Sequence, residues 1–260
     1  MKIPRSAGNG GSSDPGNTED LRHWLGWSEG LAQALQELES GRQTFTFPKG
    51  AALFHQGSEC SGVHLLLFGR AKLITVSDTG RSFILRISRA GAVLGLGPAL
   101  TSSSYDVTAE AMEPVQAAFI PRKDLLGLLC KPETASHIVY HLAMEIRLAG
   151  HRLGRQALLS NARARVAGLF LDWIATNHSA RPTPCIYLTH QDIAGLTDLS
   201  RETVTRHLHE LQQGGFVDLS NNGHQPGAAR YNSHMSLFCA LFAFCDVDHQ
   251  TEVTAVTEHS

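Results

Sequence analysis

The chain has 260 residues, 42% hydrophobic and 18% charged, with a formal net charge of −2. That length and apolar fraction suit one or two globular domains with real cores. The near-neutral charge excludes nucleic-acid binding through a broad basic surface, so any such affinity must rest on locally placed arginines and on hydroxyl and backbone contacts.

The five cysteines, Cys60, Cys130, Cys185, Cys239 and Cys245, are odd in number and lack a CxxC spacing. With no signal peptide and no membrane-length apolar run, this predicts a reducing cytoplasm, no disulfide framework and no membrane partner.

Residues 1–20 are rich in Gly, Ser, Asn and Pro and are predicted to be a disordered arm. Residues 21–38 carry a rough apolar stripe of Leu21, Leu25, Trp27, Leu31, Leu35 and Leu38, which predicts a helix. From Gln43 the period changes to two. Phe45-Thr46-Phe47 leads into a turn at Pro48-Lys49-Gly50. Alternating runs follow at 63–68, 73–76 and 82–87, punctuated by Gly57, Gly69, Gly80 and Gly91. Short strands at regular spacing with glycine turns predict a small antiparallel barrel or roll. A last strand at 115–120 ends at Pro121, and 124–129 is a short helix.

Residues 133–159 contain no strong breaker besides Gly150 and Gly154. Ile138, Leu142, Ile146, Ala149 and Leu153 recur at steps of three and four. This is a long helix with one apolar face, which either packs on its own domain or meets a second chain. Asn161 is placed to open the next helix, with Val166, Leu169, Phe170 and Trp173 facing inward. Arg163 and Arg165 near its start are candidates for phosphate contact or for plain solvation.

The most informative stretch is THQDIAGLTDLSRETVTRHLHELQQGG, from Thr189 to Gly215. Thr189 with Asp192 forms a capping-box-like start. Asp198 tolerates the left-handed backbone that a break there needs. Ser200 caps a second helix, and Gly214-Gly215 stops it. Val204, Leu208 and Leu211 point at a core. Arg201, Glu202, Thr205 and Arg206 point away from it, near the helix N-terminus. Arg pairs with guanine O6/N7, Glu accepts from cytosine N4, and Thr meets a base or a phosphate. This is a helix-turn-helix with a base-reading face.

LSRETVTRHL resembles the recognition helix of the Crp/Fnr family of bacterial transcription regulators, on its cyclic-AMP receptor protein branch. The Ser-Arg-Glu-Thr-Val-x-Arg run matches at Ser200–Val204 and Arg206, and the likeness extends over about 21–219. The resemblance implies an α+β chain: an N-terminal cyclic-nucleotide-binding-like β-roll (21–131), a dimerisation helix (132–158) and a C-terminal winged helix-turn-helix (159–235). It implies a homodimer reading palindromic TGTGA-like half-sites in double-stranded DNA, with RNA polymerase as a further partner. Arg201 and Arg206 would contact guanines and Glu202 the paired cytosine, while Thr203, Thr189 and Gln191 would hold phosphates. Ile138, Leu142, Ala149 and Leu153 would meet the same residues of the second chain.

FPKGAALFHQGSECSGVHLLLFGRAKL is similar to the opening strands of the family's β-roll, which places the nucleotide pocket at 91–111. There the chain departs from the family. Gly95-Leu96 stands where Gly-Glu would hold the ribose 2′-OH, and Tyr105-Asp106 where Arg-Ser would neutralise the phosphate. A buried phosphate without an Arg partner loses its charge-assisted contact. Cyclic AMP is therefore not expected to bind, and no cofactor is expected. Haem or another effector is left unassigned, with His55, His64 and His137 read as structural or exposed. Clustered N-terminal cysteines, as in the family's iron–sulfur members, do not occur before Cys60.

After the recognition helix, a strand at 216–219, a turn at 221–223 and a segment at 229–232 predict a wing. The tail at 236–260 has an apolar run at 237–244 followed by a polar end, and no function is read from it. No nucleophile–base pair, HExxH, P-loop or paired acid cluster is present, so the chain is not expected to be an enzyme or to hold a metal. The competing reading is a small-molecule-binding regulatory module whose helix-turn-helix makes protein contacts.

Overall fold

A computed structural model describes residues 43–159, 161–176, 185–215, 217–220 and 229–232. The predicted arm, the helix at 21–38, the turn at 221–223, the tail, Cys239 and Cys245 lie outside them, as do the side chains of Trp173 and Cys185.

The N-terminal half is the predicted roll. Its strands are β1 (Gln43–Phe47), β2 (Ala52–Phe54), β3 (Gly62–Phe68), β4 (Arg70–Val76), β5 (Ser82–Arg89), β6 (Val93–Leu94), β7 (Thr108–Ala111) and β8 (Val115–Pro121). They form two four-stranded sheets, ordered β1-β8-β3-β6 and β2-β7-β4-β5. The pairings between them are antiparallel. Leu65, Leu66, Ala71, Ala109, Ala117 and Ile120 belong to one continuous buried core. In β3 the residues Gly62–Leu66 are all buried. One of its faces meets the roll interior, and α1 (Leu96–Thr101) and α2 (Arg122–Leu129) pack on the strand as well. The sequence shows no clean inside–outside alternation there because both faces are covered.

Helix α3 (Pro132–Leu158) runs unbroken for 27 residues through Gly150. Its first turns pack on the roll, with Ile138 1% exposed in the roll core. An adjoining strip of the helix carries Val139, Ile146 and Leu153, each more than 60% exposed and spaced by seven. Ala149 and Gly150 are also exposed, and Leu142 is half-buried. The predicted face is therefore rotated. Ile138 belongs to its own roll and cannot meet a partner, and Leu142 packs partly against the same core at the edge of the open stripe, where Val139 and Ile146 join Ala149 and Leu153.

Asn161 opens α4 (Ala162–Thr176), its side-chain oxygen accepting from Ala164 N at 2.6 Å. Val166 and Phe170 are buried in a second core with Ile193, Ala194, Val204, Leu208 and Leu211. That core joins α4, α5 (His190–Thr197) and α6 (Arg201–Gln213). A three-stranded sheet, ordered β10-β11-β9, completes the domain, from β9 (Cys185–Leu188), β10 (Asp218–Ser220) and β11 (Ala229–Asn232). The wing strands thus appear as predicted, with β9 as a third member.

The second domain is docked on the outer face of the β2-β7-β4-β5 sheet. The Ile84 side chain of β5 occupies the space above Gly195 of α5, where an added Cβ would lie 2.8 Å from Ile84 Cδ1. Lys72 Nζ sits between Glu110 Oε1 (2.9 Å) and Asp192 Oδ1 (3.7 Å). Arg81 pairs with Asp198 at 2.6 Å. Arg70 holds Glu113 with two nitrogens, at 3.0 and 2.9 Å, and donates a third bond to Tyr187 O at 2.9 Å.

Candidate nucleic-acid interface

The helix-turn-helix is built by its caps. Thr189 Oγ1 accepts from Asp192 N at 3.0 Å, and the Asp192 carboxylate accepts from Thr189 N at 3.1 Å, closing the capping box. The first helix ends at Asp198, which takes φ 57°, in the left-handed region. Ser200 then caps α6, its hydroxyl accepting from Thr203 N at 3.2 Å. Only Asp198, Leu199 and Ser200 separate the helices, and Leu199 N donates back to Ala194 O.

Val204, Leu208 and Leu211 are buried, while Arg201, Glu202, Thr205 and Arg206 are exposed. Among the described residues neither Arg201 nor Arg206 forms a salt bridge, so both forks are available to a ligand. Hydrogen bonding to its own backbone N–H and to Ser200 holds the Glu202 carboxyl below the usual range. Glu202 is thus ionised and acts only as an acceptor.

The phosphate candidates divide. Gln191 is exposed on the first turn of α5. Thr203 Oγ1 lies 3.1 Å from Ser200 Oγ. Thr189 has both its donors engaged, its N–H and its hydroxyl (2.6 Å) each bonded to Asp192 Oδ2, and so offers nothing to a phosphate oxygen. Arg163 is paired with Glu210 at 3.2 Å, and Arg165 Nε donates to Leu159 O. Both therefore brace α4 within the domain.

One residue at this face escaped the sequence reading. His190 Nδ1 is 2.8 Å from Thr205 Oγ1, linking the first turn of α5 to α6. Burial, and then Arg201, lower its pKa, leaving it neutral at pH 7. The pair is fifteen residues apart, and no local pattern announces it.

At the predicted pocket, Leu96 and Tyr105 are buried and Asp106 is exposed. The Tyr105 ring stacks on Phe54 with centroids 3.9 Å apart, and its hydroxyl donates to Gly62 O at 2.9 Å. Gly95, at φ 83°, makes room for that ring: a Cβ there would lie 2.7 Å from Tyr105 Cε1. Two cavities, of about 540 and 190 Å³, lie between the roll and the second domain, and neither is lined by these four residues.

Residues 44–131 match the cyclic nucleotide-binding domain family and residues 164–225 the Crp-like helix-turn-helix domain family. A cyclic AMP receptor protein from Thermus thermophilus is 30% identical over 176 residues, 66% of this chain and 78% of that one. The chain belongs to the Crp/Fnr family. A global nitrogen regulator from Synechococcus elongatus is 27% identical over 72% of this chain and 88% of its own. The structure of FixK2 from Bradyrhizobium japonicum superposes with a TM-score of 0.63 at 21% identity, over 74% of this chain and 92% of that one. This Crp/Fnr member is a transcription regulator with a helix-turn-helix DNA-binding domain, like its relatives, and not an enzyme. Among the described residues no helix is long and apolar enough to cross a membrane.

Proposed function

We propose that the chain is a cytoplasmic homodimer that reads palindromic TGTGA-like half-sites in double-stranded DNA without cyclic AMP. The observation that carries this reading is the exposed Arg201 and Arg206, neither in a salt bridge among the described residues, flanking an ionised Glu202 on one capped helix. Two arginines suit the two guanines of the half-site, and the glutamate suits a cytosine. The stripe of Val139, Leu142, Ile146, Ala149 and Leu153 supports dimerisation through α3, because a seven-residue apolar repeat is what a paired helix buries. A dimer matches the palindrome by presenting two recognition helices about one DNA turn, roughly 34 Å, apart.

The side chains of Leu96 and Tyr105 support a roll that holds no cyclic nucleotide, since neither neutralises a phosphate and both lie in the core. The roll instead receives a different signal and passes it to the bound polymerase or to the DNA-binding domain. Fluorescence anisotropy of the ligand-free protein on a TGTGA palindrome, against a scrambled duplex at fixed salt, tests this. Specific binding unchanged by cyclic AMP is expected. Binding only with cyclic AMP would refute the reading of the roll. No preference for the palindrome would refute the half-site and favour protein contacts through α6.

A further inference from the structure

Thr205 lies on the base-facing side of α6, one turn after Arg201 and directly before Arg206. Its hydroxyl is 2.8 Å from Arg201 O and 2.8 Å from His190 Nδ1. A carbonyl oxygen only accepts, so the hydroxyl proton goes to Arg201 O. The threonine oxygen then accepts from His190, whose Nδ1 must carry the hydrogen. With its proton given to Arg201 O, this hydroxyl has no hydrogen to donate to the O4 acceptor of a thymine. Toward a thymine, the γ-methyl is therefore the part of the exposed side chain that makes a favourable contact.

We propose that Thr205 is a specificity-determining residue that reads the C5-methyl of a thymine by apolar contact, its hydroxyl locked away by His190. The thymine is the one between the two guanines of TGTGA, because Thr205 stands between the two arginines that those guanines face. Methyl-to-methyl contact is a recognised way for threonine to select thymine in the major groove. The arrangement is indifferent to the protonation of His190, since Nδ1–H is the donor in either form. This assignment rests on the DNA-binding reading above and adds the base that Thr205 selects.

The test pairs a methyl removed from the protein with a methyl removed from the DNA. Full-length wild type, Thr205→Ser and Thr205→Val are titrated against the TGTGA palindrome and against the same duplex with deoxyuridine at the inner thymine of each half-site. Serine keeps both hydrogen bonds and loses the methyl. Valine keeps a methyl and loses the hydroxyl. Wild type is expected to bind the deoxyuridine duplex about fourfold more weakly per half-site, the worth of one buried methyl group. Thr205→Ser should bind the two duplexes alike, and Thr205→Val should retain the discrimination. A wild type indifferent to the thymine methyl, or a serine variant as sensitive as wild type, would overturn the proposal while leaving specific DNA binding intact. Failure of the wild type to prefer the unmodified palindrome over a scrambled duplex would instead bring down the half-site reading, and this assignment with it.

Discussion

Arg201 and Gln191 sit on neighbouring helices and should fail in different ways. Arg201→Ala should relax preference at one base position, removing about 1–3 kcal/mol of discrimination. Gln191→Ala should weaken all duplexes alike. Competition binding against a panel of single-base variants separates the two, and identical profiles would undo the assignment of roles. His64 offers a second test at this scale. It is buried between Phe54 and Phe119, and burial lowers its pKa from 6.5 to about 4. The neutral ring is therefore the form that folds. Its stabilisation is complete above pH 6.5 and is lost as pH falls through about 4, by about 3 kcal/mol. Thermal unfolding from pH 7 to 4 should show this slope, and His64→Phe should flatten it. The residues of α6 were legible in the sequence because caps and periodicity are local signals. Thr189 was not, since its hydroxyl fits capping and phosphate binding equally well until Asp192 is seen to take both of its donors.

The longer strands of the roll and the helix-turn-helix follow from period and glycine punctuation, whereas β2, β6, β7, α1 and β9 carry too few residues to show a period. For α3 the sequence stripe was real but wide. Ile138 and Leu142 lie one turn apart, and only packing shows that the roll takes the first wholly and the second in part. Ile146→Glu should therefore yield a folded monomer by sedimentation, with specific DNA affinity lost. Ile138→Ala should leave the dimer interface intact and cost about 2–5 kcal/mol of stability through the cavity in the roll. The reverse pattern would return the interface to the Ile138 side. The seat of α5 on β5 is equally testable. Gly195→Val should cost about 1–3 kcal/mol by overpacking against Ile84, and Ile84→Ala in the same chain should restore part of the loss in thermal unfolding.

Across the whole molecule, the links between the domains join residues far apart in the chain, so no window of sequence could reveal them. Arg70 reaches Tyr187 O, Lys72 reaches Asp192, and Arg81 reaches Asp198. Three basic residues of the roll are thus turned toward the second domain rather than toward DNA, and Arg163 and Arg165 brace α4. The net charge of −2 also gives no overall excess of cations to neutralise phosphates. The plot of log affinity against log salt should be shallow, no steeper than about −4 for the dimer. A much steeper slope would require a basic surface absent from the described residues. The Tyr105 ring under Gly95 also sets how this site responds to substitution. Placing an arginine at 105 alone would bury a cation without its anion, and a glutamate at 96 alone would bury an anion without its hydroxyl. Each single step is strongly unfavourable. A charged ligand site could therefore be built here only by changing several core residues together, because each one introduced alone stands buried without its counter-charge.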